Sequence, residues 1–69
     1  MNKIIINKVA KNIKFYRKEK QLTQEALAFE AKVSLSTIGM IETSKTDITL
    51  SKIYNIAKAL GVEPYELLK

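Results

Sequence analysis

The side chains in this chain best suited to selective chemistry are hydroxyls and one amide. They gather at two places, Thr23-Gln24 and Ser34 to Thr37. Histidine and cysteine are both absent. Their absence removes the usual nucleophile–base pairs, thiolate chemistry, disulfides and the common zinc and copper ligand sets. With 69 residues the chain has little room for a deep cleft. Catalysis is therefore not expected, and neither is a metal, a cofactor or a small-molecule ligand. What remains is recognition through hydrogen bonds. Ser36 and Thr37 can each donate or accept, and Leu35, Met40 and the Thr37 methyl add apolar contacts.

Two short helices must position these groups. The first is expected from about Gln24 to Lys32 and the second from about Leu35 to Thr43, with a tight break between them. Thr23 and Ser34 stand where a helix start needs a side-chain oxygen for a free backbone N–H. Apolar residues at Ala26, Leu27, Ala31, Val33, Ile38 and Ile41 give both helices a face toward one core. The second helix then turns Leu35, Ser36, Thr37, Gly39 and Met40 to solvent. Two short helices arranged in this way are the layout of a helix-turn-helix reader of DNA.

The rest of the chain reads as helix throughout. Helix 1 is expected from about Ile5 or Asn7 to Lys18, with Ile6, Val9, Ile13 and Tyr16 inward. After a turn-forming loop, Ser44 to Ile48, Thr49 caps helix 4, whose inward face is Leu50, Ile53, Ile56, Ala57 and Leu60. Gly61 ends that helix, and Pro64 suits the first turn of a short helix 5 carrying Tyr65, Leu67 and Leu68. The expected fold is all-α, five helices in one domain over residues 1–69. No apolar run is long enough to span a bilayer, and the run Ile4–Ile6 is too short for a signal-peptide core, so a cytoplasmic location is expected.

Charge is distributed unevenly. Seven of the twelve cations lie in the first twenty residues, against one of the seven acids, Glu19. A basic first helix beside a DNA-reading unit fits attraction to phosphate through counterion release, although a solvated helix face explains the charge equally well. Gln24, at a helix N-terminus, can hydrogen-bond a phosphate oxygen. Ser34, Leu35, Ser36 and Thr37 open the helix that would meet base edges, and Met40 lies one turn on. Thr43, Ser44, Lys45 and Thr46 form the loop that would follow the sugar–phosphate backbone. The exposed face of this helix carries no Arg, Lys, Asn or Gln, the residues that make bidentate base contacts. Selectivity would rest on methyl contacts, hydroxyls and duplex deformability. Glu42 interrupts an apolar run and Arg17 follows Tyr16, so the two are expected to pair and fix helix 3 against helix 1. Phe29 is expected in the core, with Phe15 and Tyr54 partly exposed.

The runs IKFYRKEKQLTQEALA, VSLSTIGMIE and TLSKIYNIAKALGVEPYELL resemble the DNA-binding domain of phage Cro and repressor proteins. This is the lambda-repressor-like, xenobiotic-response-element-type family of five-helix bacterial regulators. Within it, IINKVAKNIKFYRKEKQLTQEALAFEAK and DITLSKI most resemble the restriction–modification controller proteins. The resemblance implies phosphate contacts from Thr23, Gln24, Thr43, Lys45 and Thr46, and base-reading positions at Leu35, Ser36 and Thr37. It also implies an Arg17–Glu42 interhelical pair and dimerisation within residues 61–69 through Val62, Pro64, Tyr65 and Leu68. Three departures stand out. Lys32 and Ser44 occupy places where the family commonly has glycine, and Leu35 stands where many members carry Arg or Gln.

The expected function is a homodimeric, sequence-specific regulator of transcription on a pseudo-palindromic operator in double-stranded DNA. Occupying a promoter would block RNA polymerase or recruit it, and the residues do not choose between these. The rivals are a phage-type repressor and an antitoxin or other protein-interaction module that uses the helix pair as scaffold. A membrane-surface role for helix 1 is disfavoured because its apolar face is needed for the core.

Overall fold

Asn2 opens the first helix: its Oδ1 accepts from the backbone N–H of Ile4 at 3.1 Å and of Ile5 at 3.3 Å. The computed structural model describes residues 2–69, and in it α1 runs Lys3–Glu19, α2 Gln24–Ala31, α3 Leu35–Glu42 and α4 Leu50–Leu60. A single 3₁₀ turn, Pro64–Leu67, follows. No strand occurs among the described residues. Two expectations are corrected here. The helix α1 begins earlier than Ile5 because an asparagine cap precedes the apolar run. The fifth helix is only a four-residue 3₁₀ turn, so the described fold has four α-helices. Pro64 starts that turn, and the cap residue Leu68 already bonds back to the Tyr65 carbonyl, so the α-helical pattern never develops.

Three predicted caps are in place. Thr23, Ser34 and Thr49 each accept from the amide three residues on, at 3.0, 3.0 and 3.2 Å respectively. At the other ends, all four helices close with one device. Gln21, Lys32, Ser44 and Gly61 take φ of 58°, 60°, 60° and 72°. The next residue's N–H then reaches five residues back: Leu22 to Arg17, Val33 to Ala28, Lys45 to Met40 and Val62 to Ala57. This left-handed closure satisfies carbonyls that the helix itself leaves free, and only one of the four positions uses glycine.

The core is built from Val9 and Ile13 of α1, Leu27, Ala28 and Ala31 of α2, Ile38 and Ile41 of α3, and Ile53, Ile56, Ala57 and Leu60 of α4, closed by Leu67. The helix α2 packs on α3 and α4, and α1 packs on α3, α4 and the terminal turn. Asn12 Nδ2 donates to the Leu67 carbonyl at 3.0 Å and holds that turn against α1.

Phe29 is not a core residue: it is 85% exposed. At 100° per residue it lies on the side of α2 away from the buried Leu27, Ala28 and Ala31. Leu50 is likewise exposed rather than inward, at 82%. It shares the side of Ile53 but sits in the first turn of α4, where it borders a shallow apolar hollow with Ile5, Ile48 and Leu68. Phe15 and Tyr54 are both more than half exposed.

Candidate nucleic-acid interface

The helix pair is held by one buried carboxylate. Glu42, on the last residue of α3, is the buried charged side chain of the described residues. Arg17 of α1 donates from Nε to Glu42 Oε2 at 2.7 Å and from Nη2 to Oε1 at 3.2 Å. A third N–H, on Nη1, goes to the Leu22 carbonyl at 2.7 Å, in the link to α2. Gln24 Nε2 then donates to Glu42 Oε1 at 3.1 Å. One carboxylate on α3 therefore accepts from α1 and from the first residue of α2. A fork-shaped guanidinium and a full set of donors are what make a buried charge tolerable.

The Gln24 contact with Glu42 was missed by sequence reasoning, which considered only a phosphate partner for this amide. A signal was present. Gln24 stands three, four and seven residues before Leu27, Ala28 and Ala31, so it shares their inward side. Its Nε2 carries a second N–H, and its carbonyl oxygen accepts no hydrogen bond from the described residues. Both groups lie at the α2 N-terminus, where the macrodipole favours an anion.

In α3, Ser34 performs two tasks. Its Oγ caps the Thr37 N–H and also lies 2.8 Å from Thr37 Oγ1. The Thr37 hydroxyl is thus engaged, and the residue is half-buried. Leu35, Ser36 and Met40 are exposed. They form a compact surface of one hydroxyl between two apolar side chains, with the Thr37 methyl beside them. Helix geometry requires this juxtaposition, since positions 36 and 40 lie one above the other.

The connection after α3 is built from local bonds. Thr43 Oγ1 donates to the Gly39 carbonyl at 2.8 Å, and Thr46 Oγ1 to the Asp47 carbonyl at 3.1 Å. Lys3 Nζ reaches across from α1 to the Ser44 carbonyl at 3.2 Å. Lys45 is exposed and carries the one cation of this loop.

Val62, Pro64, Tyr65 and Leu68 lie along the chain from the end of α4 through the terminal turn. Val62 and Pro64 border a hollow with Tyr54 and Lys58, whereas Leu68 borders the separate apolar hollow by Leu50. Tyr65 is exposed, with the Lys69 amine 5.4 Å from its ring centre.

The sequence and the fold both have similar proteins. The chain is 43% identical over 47 residues to the control protein C.BamHI of Bacillus amyloliquefaciens, covering 68% of this chain and 58% of that protein. It is 35% identical over 60 residues to a hypothetical transcription factor of Neisseria meningitidis, covering 87% of this chain and 57% of that one. The chain thus spans somewhat over half the length of these two relatives. Among solved structures, the restriction-modification controller protein C.AhdI from Aeromonas hydrophila superposes with a TM-score of 0.87 at 34% identity, covering 90% of this chain and 94% of that one. A helix-turn-helix family model matches residues 13–67, from the middle of α1 through the terminal turn. The chain belongs to the helix-turn-helix family.

Proposed function

We propose that this chain is a sequence-selective regulator of transcription that binds double-stranded DNA as a homodimer, in the manner of a restriction–modification controller protein. The observation that carries the reading is the exposed face of α3, with Leu35, Ser36 and Met40 presented on a helix locked to α1 and α2 through Glu42. In this reading the Ser36 hydroxyl meets a base edge, and Leu35, Met40 and the Thr37 methyl lie against thymine methyl groups. Thr23, Gln24, Ser34, Thr43, Lys45 and Thr46 flank that surface and contact phosphate. Gln24 does so with the groups that Glu42 leaves free. Similarity to the two controllers named above supports the controller assignment over a phage-type repressor.

A two-fold dimer places two copies of α3 in successive major grooves, about 34 Å apart. The hollow formed by Ile5, Ile48, Leu50 and Leu68 is the best-supported seam, because Leu50 is large, apolar and exposed beside it. Val62, Pro64 and Tyr65 then lie at its periphery or outside it.

The test is selection from random duplexes followed by fluorescence anisotropy on the enriched site. A pseudo-palindromic consensus bound far more tightly than bulk DNA is the expected result. Equal affinity for every duplex at physiological salt would remove the selective-regulator reading. A protein-interaction role draws its support from Phe29, a large aromatic side chain facing solvent. A chain with no DNA affinity whose Phe29→Ala variant loses a protein partner would establish that role instead.

A further inference from the structure

The reading above leaves the basic face of α1 without a task. Lys3, Lys8, Lys11, Lys14 and Lys18 are all exposed, and Glu19 is the one acid in the helix. At 100° per residue, Lys3, Lys11, Lys14 and Lys18 fall within an arc of about 80°. Lys11, Lys14 and Lys18 border a groove of about 390 Å³ with Phe15, and Glu42 and Ser44 at the end of α3 border it too. The Glu42 carboxylate is already bonded to Arg17 and Gln24, so little of the lysine charge is cancelled there. Lys3 bonds the Ser44 carbonyl, which joins this face to the loop after α3.

We infer that α1 carries a second DNA track, which takes the backbone of the duplex lying outside the half-site read by α3. Lys11 to Lys18 span seven residues, roughly 10 Å of helix. That matches about three nucleotides of one strand at a rise of ~3.4 Å. An acidic protein segment would satisfy the charge equally well. Continuity with the loop Thr43–Thr46, the proposed phosphate-contacting segment, is what favours DNA. The inference rests on the DNA-binding reading, and its test separates the two.

Two duplexes carrying the selected site are compared, one trimmed to the site and one extended by about one helical turn on each side. The wild-type chain should bind the longer duplex several-fold more tightly. Its log K should also fall more steeply with log salt there, by about 0.9 for each phosphate a lysine neutralises. The variant K11Q/K14Q/K18Q should lose that advantage and keep both its affinity for the trimmed duplex and its thermal midpoint. Equal wild-type affinity for both duplexes overturns the track while leaving the proposed function intact. Full retention of the advantage by the triple variant does the same. Binding of a poly-glutamate peptide by wild type alone, with no flank effect, would assign the face to an acidic protein and overturn the track. If the wild type binds neither duplex, the function and the track fall together.

Discussion

Ser36 carries most of the hydrogen-bonding selectivity in the proposed interface, because its neighbour Thr37 already shares a hydrogen bond with Ser34. A single neutral hydrogen bond contributes about 0.5–1.5 kcal/mol. Ser36→Ala, present in both copies of the dimer, should therefore weaken binding to the selected site by about 5- to 150-fold, with an unchanged thermal midpoint; anisotropy and a melting curve read both. Thr37→Ala should do the reverse in part, lowering stability by loosening the Ser34 cap. Lys32 offers a different residue-level prediction. Its φ of 60° costs an L-residue roughly 1–2 kcal/mol, and glycine's extra chain entropy returns about 0.5–1 kcal/mol of that. Lys32→Gly should then stabilise by about 0.5–1 kcal/mol, which raises the melting temperature by a few degrees in a domain of this size. A midpoint that falls would mean the Lys32 side chain contributes more than its backbone strain removes.

At the level of elements, Glu42 decides whether three helices keep their mutual arrangement. Removing one partner of a buried ion pair costs about 3–5 kcal/mol. A domain of this length has roughly 3–10 kcal/mol in total at 0.05–0.15 per residue. Glu42→Ala should accordingly remove much of the cooperative thermal transition followed by circular dichroism, and an unaltered melt would show that the carboxylate is dispensable. Sequence made this architecture largely legible. Thr23, Ser34, Thr49 and Gly61 mark helix ends through chemistry that acts within a few residues. Phe29 and Leu50 were harder. An eight-residue helix such as α2 has apolar residues on both sides, so which side is buried depends on where α4 lies. The Gln24–Glu42 bond was not legible for a related reason: whether a long amide reaches a carboxylate depends on a partner 18 residues away.

For the whole molecule, the proposed dimer governs affinity. One half-site reader with a sparse set of contacts binds weakly, and joining two copies makes the second contact intramolecular. Leu50→Lys should shift the protein to monomer in sedimentation equilibrium and weaken operator binding strongly. Its melting midpoint should fall no further than that of the dissociated wild-type chain at high dilution, since Leu50 is exposed in the single chain. A variant that stays dimeric would move the seam elsewhere, with the Val62–Pro64 hollow as the next surface to test. The fold does not by itself confer any of this behaviour, because the same helical frame serves unrelated tasks. The function resides in which side chains the frame leaves outside.

The four helix ends also differ in how firmly they are anchored. Past the left-handed residue, three of them place an apolar side chain against the core: Leu22, Val33 and Val62. The fourth, after α3, places exposed Lys45 there instead. Its backbone bond, Lys45 N–H to the Met40 carbonyl at 2.9 Å, is therefore backed by no burial. Local opening is cheapest where few apolar contacts close over the amides. In native-state hydrogen exchange, the amides of Ser44 and Lys45 should exchange well before those of Leu22, Val33 and Val62. On addition of the selected duplex, these two should gain the most protection. The chain would then hold its recognition helix rigid and leave the segment beyond it free to settle onto whatever backbone geometry the bound site presents.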